Sequence, residues 1–245
     1  MYKRQIYGSA AGGIANINSL ERSNYLFEYT MTYNKQFNEN HSLTVLGGTT
    51  YQKFSSRFFS GNISGFPTDA LLTNNLGLGN TNNDDLNSGK EENTLLSYLG
   101  RINYNIFNKF LLTASIRADG SSRFGTNNKW GYFPSFALGW KMEEEDFIPD
   151  AFNQLKLRAS WGQTGNQEIG NYASQLTFGT GPSVVLGGSI LGSAIPSRIA
   201  NPDLKWETTE QFNVGIDFGL LGGRFSGTLD YFTKSSKDLL FNLPL

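Results

Sequence analysis

The chain has 245 residues, a net charge of −1, no cysteine and one histidine, His41. This near-neutral charge excludes the basic surface of a nucleic-acid-binding domain, so no nucleic-acid partner is expected. The absence of cysteine excludes disulfides and thiolate metal sites, and a lone histidine argues against a histidine-based metal site. No run approaches the roughly 18 apolar residues of a membrane helix.

Alternation of apolar and polar residues predicts about eight strands and almost no helix. These predicted strands lie near residues 24–37, 42–54, 94–107, 110–119, 130–141, 154–162, 205–218 and 224–234. Short connections at 38–41, 108–109, 142–153 and 219–223 alternate with long ones at 55–93, 120–129 and 163–204. Short turns on one rim and long loops on the other are typical of an antiparallel transmembrane β-barrel.

The predicted strand 130–141 shows most clearly what such strands would face. One face carries Trp130, Tyr132, Pro134, Phe136, Leu138 and Trp140. Ten steps of roughly 3.3 Å, tilted by about 40°, span roughly 25 Å, the height of the apolar band of a membrane barrel. Tryptophan is enriched at both membrane interfaces, so we assign Trp130, Trp140, Trp161 and Trp206 to the two girdles. Pro134 is expected at a local bulge, because proline removes a ladder hydrogen bond.

The opposite faces of the strands are polar, which predicts a water-filled lumen. They carry Ser97, Arg101, Asn103, Asn105, Thr113, Ser115, Arg117, Asp119, Lys156, Arg158 and Ser160. A cation on the lipid face near mid-bilayer costs roughly 2–4 kcal/mol, so these residues should face water. In the last hairpin, the residues expected to face lipid are Phe212, Val214, Ile216, Phe218, Leu229 and Tyr231. Those expected to face the lumen are Asn213, Asp217, Thr228 and Asp230.

Three long motifs carry a family resemblance. They are YLGRINYNIFNKFLLTASIRADGSSRFGTNNKWGYFPSFALGWKMEEEDF (98–147), LKLRASWGQTGNQEIGNY (155–172) and NPDLKWETTEQFNVGIDFGLLGGRFSGTLDYFTKSSKDLL (201–240). Together they resemble the later barrel of SusC/RagA-type TonB-dependent outer-membrane receptors. The resemblance implies an all-β chain, with residues 6–245 forming about eight strands of a plugged barrel of about 22 strands. The plug domain and the remaining strands are absent from this sequence.

The same resemblance implies a function and its partners. Such a receptor sits in the outer membrane of a Gram-negative bacterium, works with a SusD-like surface lipoprotein, and imports oligosaccharides or peptides with energy relayed by TonB. Residues 1–5, MYKRQ, resemble the translation of a sequencing adaptor, and we interpret them as an assembly artefact.

No motif predicts catalysis, a metal or a cofactor. The acidic run 143–146 is interpreted as a solvated turn, and residues 80–92 lack the spacing of a calcium-binding EF-hand loop. Substrate contacts are instead predicted at lumen or loop positions, namely Arg101, Arg117, Asp119, Arg123 and Arg158. Two other functions stay open: a passive porin, which needs no plug, and a carbohydrate-binding β-sandwich, which would be soluble without detergent.

Overall fold

The computed structural model describes residues 2–3, 12–68, 70–80 and 85–241. The strands in these ranges are β1 (Tyr2–Lys3), β2 (Ile14–Asn38), β3 (His41–Ser64), β4 (Asp85–Ile106), β5 (Phe110–Ser121), β6 (Trp130–Lys141), β7 (Phe152–Asn166), β8 (Thr177–Thr180), β9 (Val184–Leu186), β10 (Ser189–Leu191), β11 (Ala194–Arg198), β12 (Glu207–Leu220) and β13 (Phe225–Lys237). Single turns of 3-10 helix lie at Leu76–Leu78 and Met142–Glu144. Within the described ranges, no helix has both the length and the apolar character needed to cross a membrane.

All eight predicted strands are present, and β6 has the predicted bounds. The predicted loop 55–93 is the largest error, because β3 continues to Ser64 and β4 begins at Asp85. These extensions lack the clear alternation of an apolar and a polar face, so the apolar pattern could not reveal them. The predicted loop 163–204 is also too long, since β7 continues to Asn166 and four short strands, β8 to β11, follow it.

The chain divides into two compact units, and the first comprises Met1–Tyr25 and Lys53–Asn93. In this unit β1 pairs antiparallel with the start of β2, where Tyr2 lies opposite Ala15. Tyr2 and Lys3 are the described part of the predicted artefact, and Met1, Arg4 and Gln5 lie outside the described residues. A small core forms from Ala15, Ile63 and Phe66, with Leu76 packed against it.

The second unit comprises Leu26–Gln52 and Thr94–Leu245. Hydrogen-bonded neighbours in its sheet follow the order β2-β3-β4-β5-β6-β7-β12-β13. Every pairing from β4 to β13 is antiparallel, so the chain runs up and down. Two separate two-stranded ribbons, β8 with β11 and β9 with β10, lie between β7 and β12 along the chain.

The register of the second unit separates two faces, because residues directly opposite each other on neighbouring strands lie on the same face. Trp140 lies opposite Phe110 on one side and Leu157 on the other. Arg101 lies opposite Ser115. The predicted division into an apolar and a polar face is therefore confirmed for β4 to β7. In the last hairpin, Val214 pairs with Tyr231, Ile216 with Leu229 and Asp217 with Thr228, as expected.

The bulge predicted at Pro134 is wrong. The β5–β6 register runs without a shift from Phe110 opposite Trp140 to Gly120 opposite Trp130. The β6–β7 pairing, however, ends at Ser135, so Pro134 lies one residue beyond that ladder. A proline at this position costs no hydrogen bond between β6 and β7, which is why the strand continues straight through it.

Candidate functional site

The candidate site is the polar face of the second unit, formed by β4 to β7, β12 and β13. Four of the predicted contact residues lie on this face, namely Arg101, Arg117, Asp119 and Arg158, and Arg123 follows β5 in the next loop. The structure separates these five residues by what their side chains bind.

Arg117 and Asp119 form a closed pair on β5. Two residues apart on a strand, their side chains share a face. Arg117 Nε lies 2.8 Å from both Asp119 carboxylate oxygens, and Arg117 Nη2 donates to Ser97 Oγ at 3.0 Å. Asp119 is only 7 % exposed and Ser97 1 %. The guanidinium of Arg117 on the polar face is therefore largely neutralised by Asp119, and Asp119 itself is buried.

Arg158 joins three strands, β7, β12 and β13. Its guanidinium makes a two-pronged contact with Asp217, with Nε to Oδ2 at 2.8 Å and Nη2 to Oδ1 at 2.9 Å. Nη2 also lies 3.2 Å from Asp230 Oδ1, and Thr228 Oγ1 donates to Asp217 Oδ1 at 3.0 Å. Gly215 lies between Arg158 and Asp230, and a Cβ there would collide with both side chains. Planar, two-pronged pairing of this kind fixes geometry as well as charge.

Arg123 ties two long loops together. Its Nε donates to Asn171 Oδ1 at 3.2 Å and its Nη1 to the Gln167 carbonyl at 3.0 Å. Its neighbour Phe124 is 1 % exposed. The loop that was predicted to contact substrate is therefore anchored to the protein at Arg123 and Phe124.

Further hydrogen bonds hold segment 122–129 against residues 199–206. We call these two segments together the clasp. Gly125 N donates to the Leu204 carbonyl at 3.1 Å, and Asn127 Nδ2 donates to Asp203 Oδ1 at 2.8 Å. A Cβ on Gly125 would overlap the Pro202 carbonyl, so this close approach requires glycine.

Trp206 belongs to the clasp, which corrects its assignment to an interfacial girdle. It is 6 % exposed and packs against Phe124, with ring centroids 4.8 Å apart, and against Phe133 at 5.4 Å. Its indole Nε1 donates to the Lys129 carbonyl at 3.0 Å. Phe133 lies on the polar-face side of β6, so Trp206 is a core residue and does not reach the apolar face.

The other three tryptophans lie on the apolar face, each stacked on a neighbouring ring. The pairs are Trp130 with Tyr98, Trp140 with Phe110 and Trp161 with Phe136, with centroids 5.9, 6.0 and 6.1 Å apart. Trp140 Nε1 donates to Glu145 at 3.1 Å and Trp161 Nε1 to Glu210 at 2.7 Å. An apolar body with a bonded polar tip suits a membrane interface, and the interfacial role of these three stays a prediction.

The acidic run after β6 is more than a solvated turn. Glu145 accepts a bond from Lys109 at 2.8 Å, and Glu143 Oε2 accepts the Leu155 backbone N–H at 3.1 Å. The bond from Lys109, and then that from the Trp140 indole, lowers the pKa of Glu145, and the same contact raises the pKa of Lys109. Glu145 thus connects two short turns and Glu143 holds its own turn against β7, roles that the sequence analysis missed.

Arg101 differs from the other arginines of the polar face. It is exposed and forms no hydrogen bond or ion pair with any residue that the structure describes. It borders a groove of about 610 Å³ on the polar face. Other polar residues lining this groove are Ser115, Arg117, Asp119, Ser135, Ser160, Gln163, Thr164 and Gln211.

The arrangement can bind and orient a polar solute. Within the described ranges, no three His, Asp or Glu side chains converge to hold a metal ion. The sequence analysis placed Asp217 and Asp230 on the correct face but missed their pairing with Arg158. That pairing depends on the β7–β12 register, which is reached across a connection of forty residues, 167–206.

Comparison with known proteins agrees with this architecture. The family model "TonB dependent receptor-like, beta-barrel" matches residues 2–245. TonB-dependent receptor P39 of Formosa agariphila is 40 % identical over 238 residues, covering 94 % of this chain and 22 % of that receptor. TonB-dependent receptor SusC of Bacteroides thetaiotaomicron is 44 % identical over 163 residues, covering 62 % of this chain and 16 % of SusC.

The fold also matches a solved structure. A chain of the RagAB peptide transporter superposes with a TM-score of 0.85 at 29 % identity, over 95 % of this chain and 26 % of that one. The chain thus spans about a quarter or less of the length of these similar proteins. On these grounds the chain belongs to the β-barrel family of TonB-dependent receptors, and within that family to the SusC/RagA type.

Proposed function

We propose that the chain forms part of the wall of a TonB-dependent importer in the outer membrane of a Gram-negative bacterium. The observation that carries this proposal is the antiparallel register from β4 to β13, which shifts only between Gly219 and Leu220 in these ladders and keeps one apolar and one polar face across six strands. Short turns close one end of these strands and long loops the other, as in barrels that cross the outer membrane. The family membership supports the same conclusion.

In this proposal the apolar face lies against lipid and the polar face lines the lumen. The reverse orientation would place Arg101, Arg117 and Arg158 in lipid, at roughly 2–4 kcal/mol for each cation near mid-bilayer. Trp130, Trp140 and Trp161 would then lie on the lipid-facing side, where tryptophan anchors a barrel at the membrane interface.

The whole receptor would close a plugged barrel of about 22 strands. A SusD-like surface lipoprotein would cover its long loops, and the TonB complex would drive transport from the other side. SusC and the RagAB peptide transporter are the relatives that support these partners. Substrates would be oligosaccharides or peptides, and transport needs no covalent chemistry from the residues of the polar face.

Uptake by the full-length receptor, meaning the whole product of the gene that carries this chain, tests the proposal. The receptor and its SusD-like partner are expressed in a host with and without TonB, and supplied with labelled maltohexaose, hexagalacturonate, hexaglutamate and hexaglutamine. We expect uptake of at least one probe in the host with TonB and none in the host without it. Uptake that does not depend on TonB would favour a passive porin, and a protein soluble without detergent would favour a β-sandwich.

A further inference from the structure

One row of directly opposed residues crosses the polar face from β4 to β13, and it has an unusual composition. In strand order the row is Arg101, Ser115, Ser135, Gly162, Gln211 and Lys234. We call it the Arg101–Lys234 row. It contains a cation at each end, hydroxyl and amide groups between them, and no carboxylate.

The two cations of the row are uncompensated, in contrast to the neighbouring arginines. Arg117 is held by Asp119, and Arg158 by Asp217 and Asp230. Arg101 and Lys234 form no ion pair with any residue in the described part of the chain, and both are exposed. An exposed cation that has no paired carboxylate favours an anionic ligand, because charge-assisted hydrogen bonds are the strong ones.

The middle of the row is shaped to receive the body of such a ligand. The groove of about 610 Å³ is lined by five of the six row residues, all except Lys234. Ser115 Oγ and Ser135 Oγ lie 2.7 Å apart, so one hydroxyl donates to the other and the accepting hydroxyl keeps its own proton for a ligand. Gly162, which has no side chain, keeps the floor of the groove low.

The next row toward the short turns extends the same chemistry. It consists of Asn103, Thr113, Ala137, Ser160, Asn213 and Phe232. This second row again contains no carboxylate, and four of its six side chains are amides or hydroxyls. The polar face between the Arg117–Asp119 pair and the Arg158 cluster is therefore free of acidic residues over two adjacent rows.

The length of the row indicates the shape of the ligand. Six adjacent strands are separated by five steps of about 4.8 Å, so the two cationic positions lie roughly 24 Å apart. A single small anion cannot span this distance, whereas a linear oligomer can.

We propose that the Arg101–Lys234 row binds a linear anionic oligomer, with carboxylate or sulfate groups at Arg101 and Lys234 and hydroxyl or amide groups at Ser115, Ser135 and Gln211. This inference rests on the proposed import function, since it names the substrate class. Arg101 and Lys234 act as specificity-determining residues, and the row between them sets the length of the bound segment.

Equilibrium binding to the purified full-length receptor tests the inference, with two matched pairs of probes. Hexagalacturonate is compared with maltohexaose, and hexaglutamate with hexaglutamine. In at least one pair the anionic probe should bind more tightly, and added salt should weaken it. Arg101→Gln and Lys234→Gln should each weaken that probe by about tenfold, the effect of losing one charged hydrogen bond. Arg101→Lys, which keeps the charge, should lose less.

Arg224→Gln is the matched control, because Arg224 is an exposed arginine in the β12–β13 turn, outside the row. Its affinities should equal those of the wild type. The inference is overturned if neither anionic probe binds, if charge makes no difference within either pair, or if both row variants bind as the wild type does. TonB-dependent uptake of a neutral probe alongside any of these results would leave the import function standing and remove only the anionic specificity.

Discussion

The two ends of the second unit differ in what holds them together, although ion pairs occur at both, such as Arg117 with Asp119 toward the long loops. At the long-loop end, Phe124 and Trp206 of the clasp form a buried apolar cluster with Phe133 and Ile169. At the short-turn end, the contacts between strands are ion pairs, with Arg158 bound by Asp217 and Asp230, and Lys109 by Glu145.

The difference follows from what each end has available. The long loops supply enough chain to cover an apolar cluster, and burying an aromatic ring there contributes about 1.5–3 kcal/mol. The short turns have no chain to spare, so the polar face near them must compensate its charges side chain by side chain. The comparison suggests that salt and pH act on the short-turn end, whereas truncation of a buried ring acts on the long-loop end.

The largest expected effect is that of Phe124→Ala. Removing a fully buried phenylalanine costs about 3–5 kcal/mol, which should separate the two segments of the clasp and loosen residues 167–206. Limited proteolysis of the full-length receptor in detergent should cut this segment much faster than in the wild type. Phe178→Ala, at a side chain 62 % exposed, is the control and should change little. Equal cleavage of both variants would mean that hydrogen bonds, and not the buried ring, hold the clasp.

A smaller effect is expected from Arg158→Ala, which leaves Asp217 and Asp230 close together without their shared cation. An unpaired, partly covered charge costs about 1–3 kcal/mol, so the thermal midpoint of the full-length receptor in detergent should fall. Arg224→Ala, at the exposed turn, should leave the midpoint unchanged. The double variant Arg158→Ala/Asp217→Asn should recover part of the loss, and no recovery would argue against charge repulsion as the cause.

The smallest expected effect is a pH dependence at the short turns. The pKa of Glu145 is lowered by its bond with Lys109, so this contact stabilises the fold above the ordinary carboxyl value of 4.5. The contribution is lost as the pH falls through the lowered pKa. Glu145→Gln should therefore reduce the thermal midpoint at neutral pH and flatten its decline below pH 4.5. Glu144→Gln, at an exposed carboxylate in the same turn, should keep the wild-type profile.

The sequence predicted those parts of the fold in which apolar and polar residues alternate. Strand β6 was predicted with its correct bounds, because Trp130 to Trp140 mark every second position without interruption. The added strand at the ends of β3 and β4 was missed, because its residues lack that alternation and are ordered by backbone pairing with neighbours distant in sequence.

The candidate site was predicted only in part, for a related reason. Parity along a strand places Arg101, Arg117 and Arg158 on one face, but it does not tell which carboxylate each one meets. Arg158 forms a hydrogen bond with Asp217, fifty-nine positions later in the sequence, and Arg123 forms one with Asn171, forty-eight positions later. These partners depend on the register between strands and on the path of the long loops, which no local pattern encodes.

By itself, the sequence determined that the chain is all-β, which side chains share a face, and which family it resembles, because these properties depend on a period of two and on local motifs. The tertiary structure decided which charged side chains are already paired within the protein. It covered Asp119, placed Arg123 and Trp206 in the clasp, and left Arg101 and Lys234 uncompensated on one row. The physical reason is that a charge is neutralised only by a partner within a few ångströms, and register sets those distances.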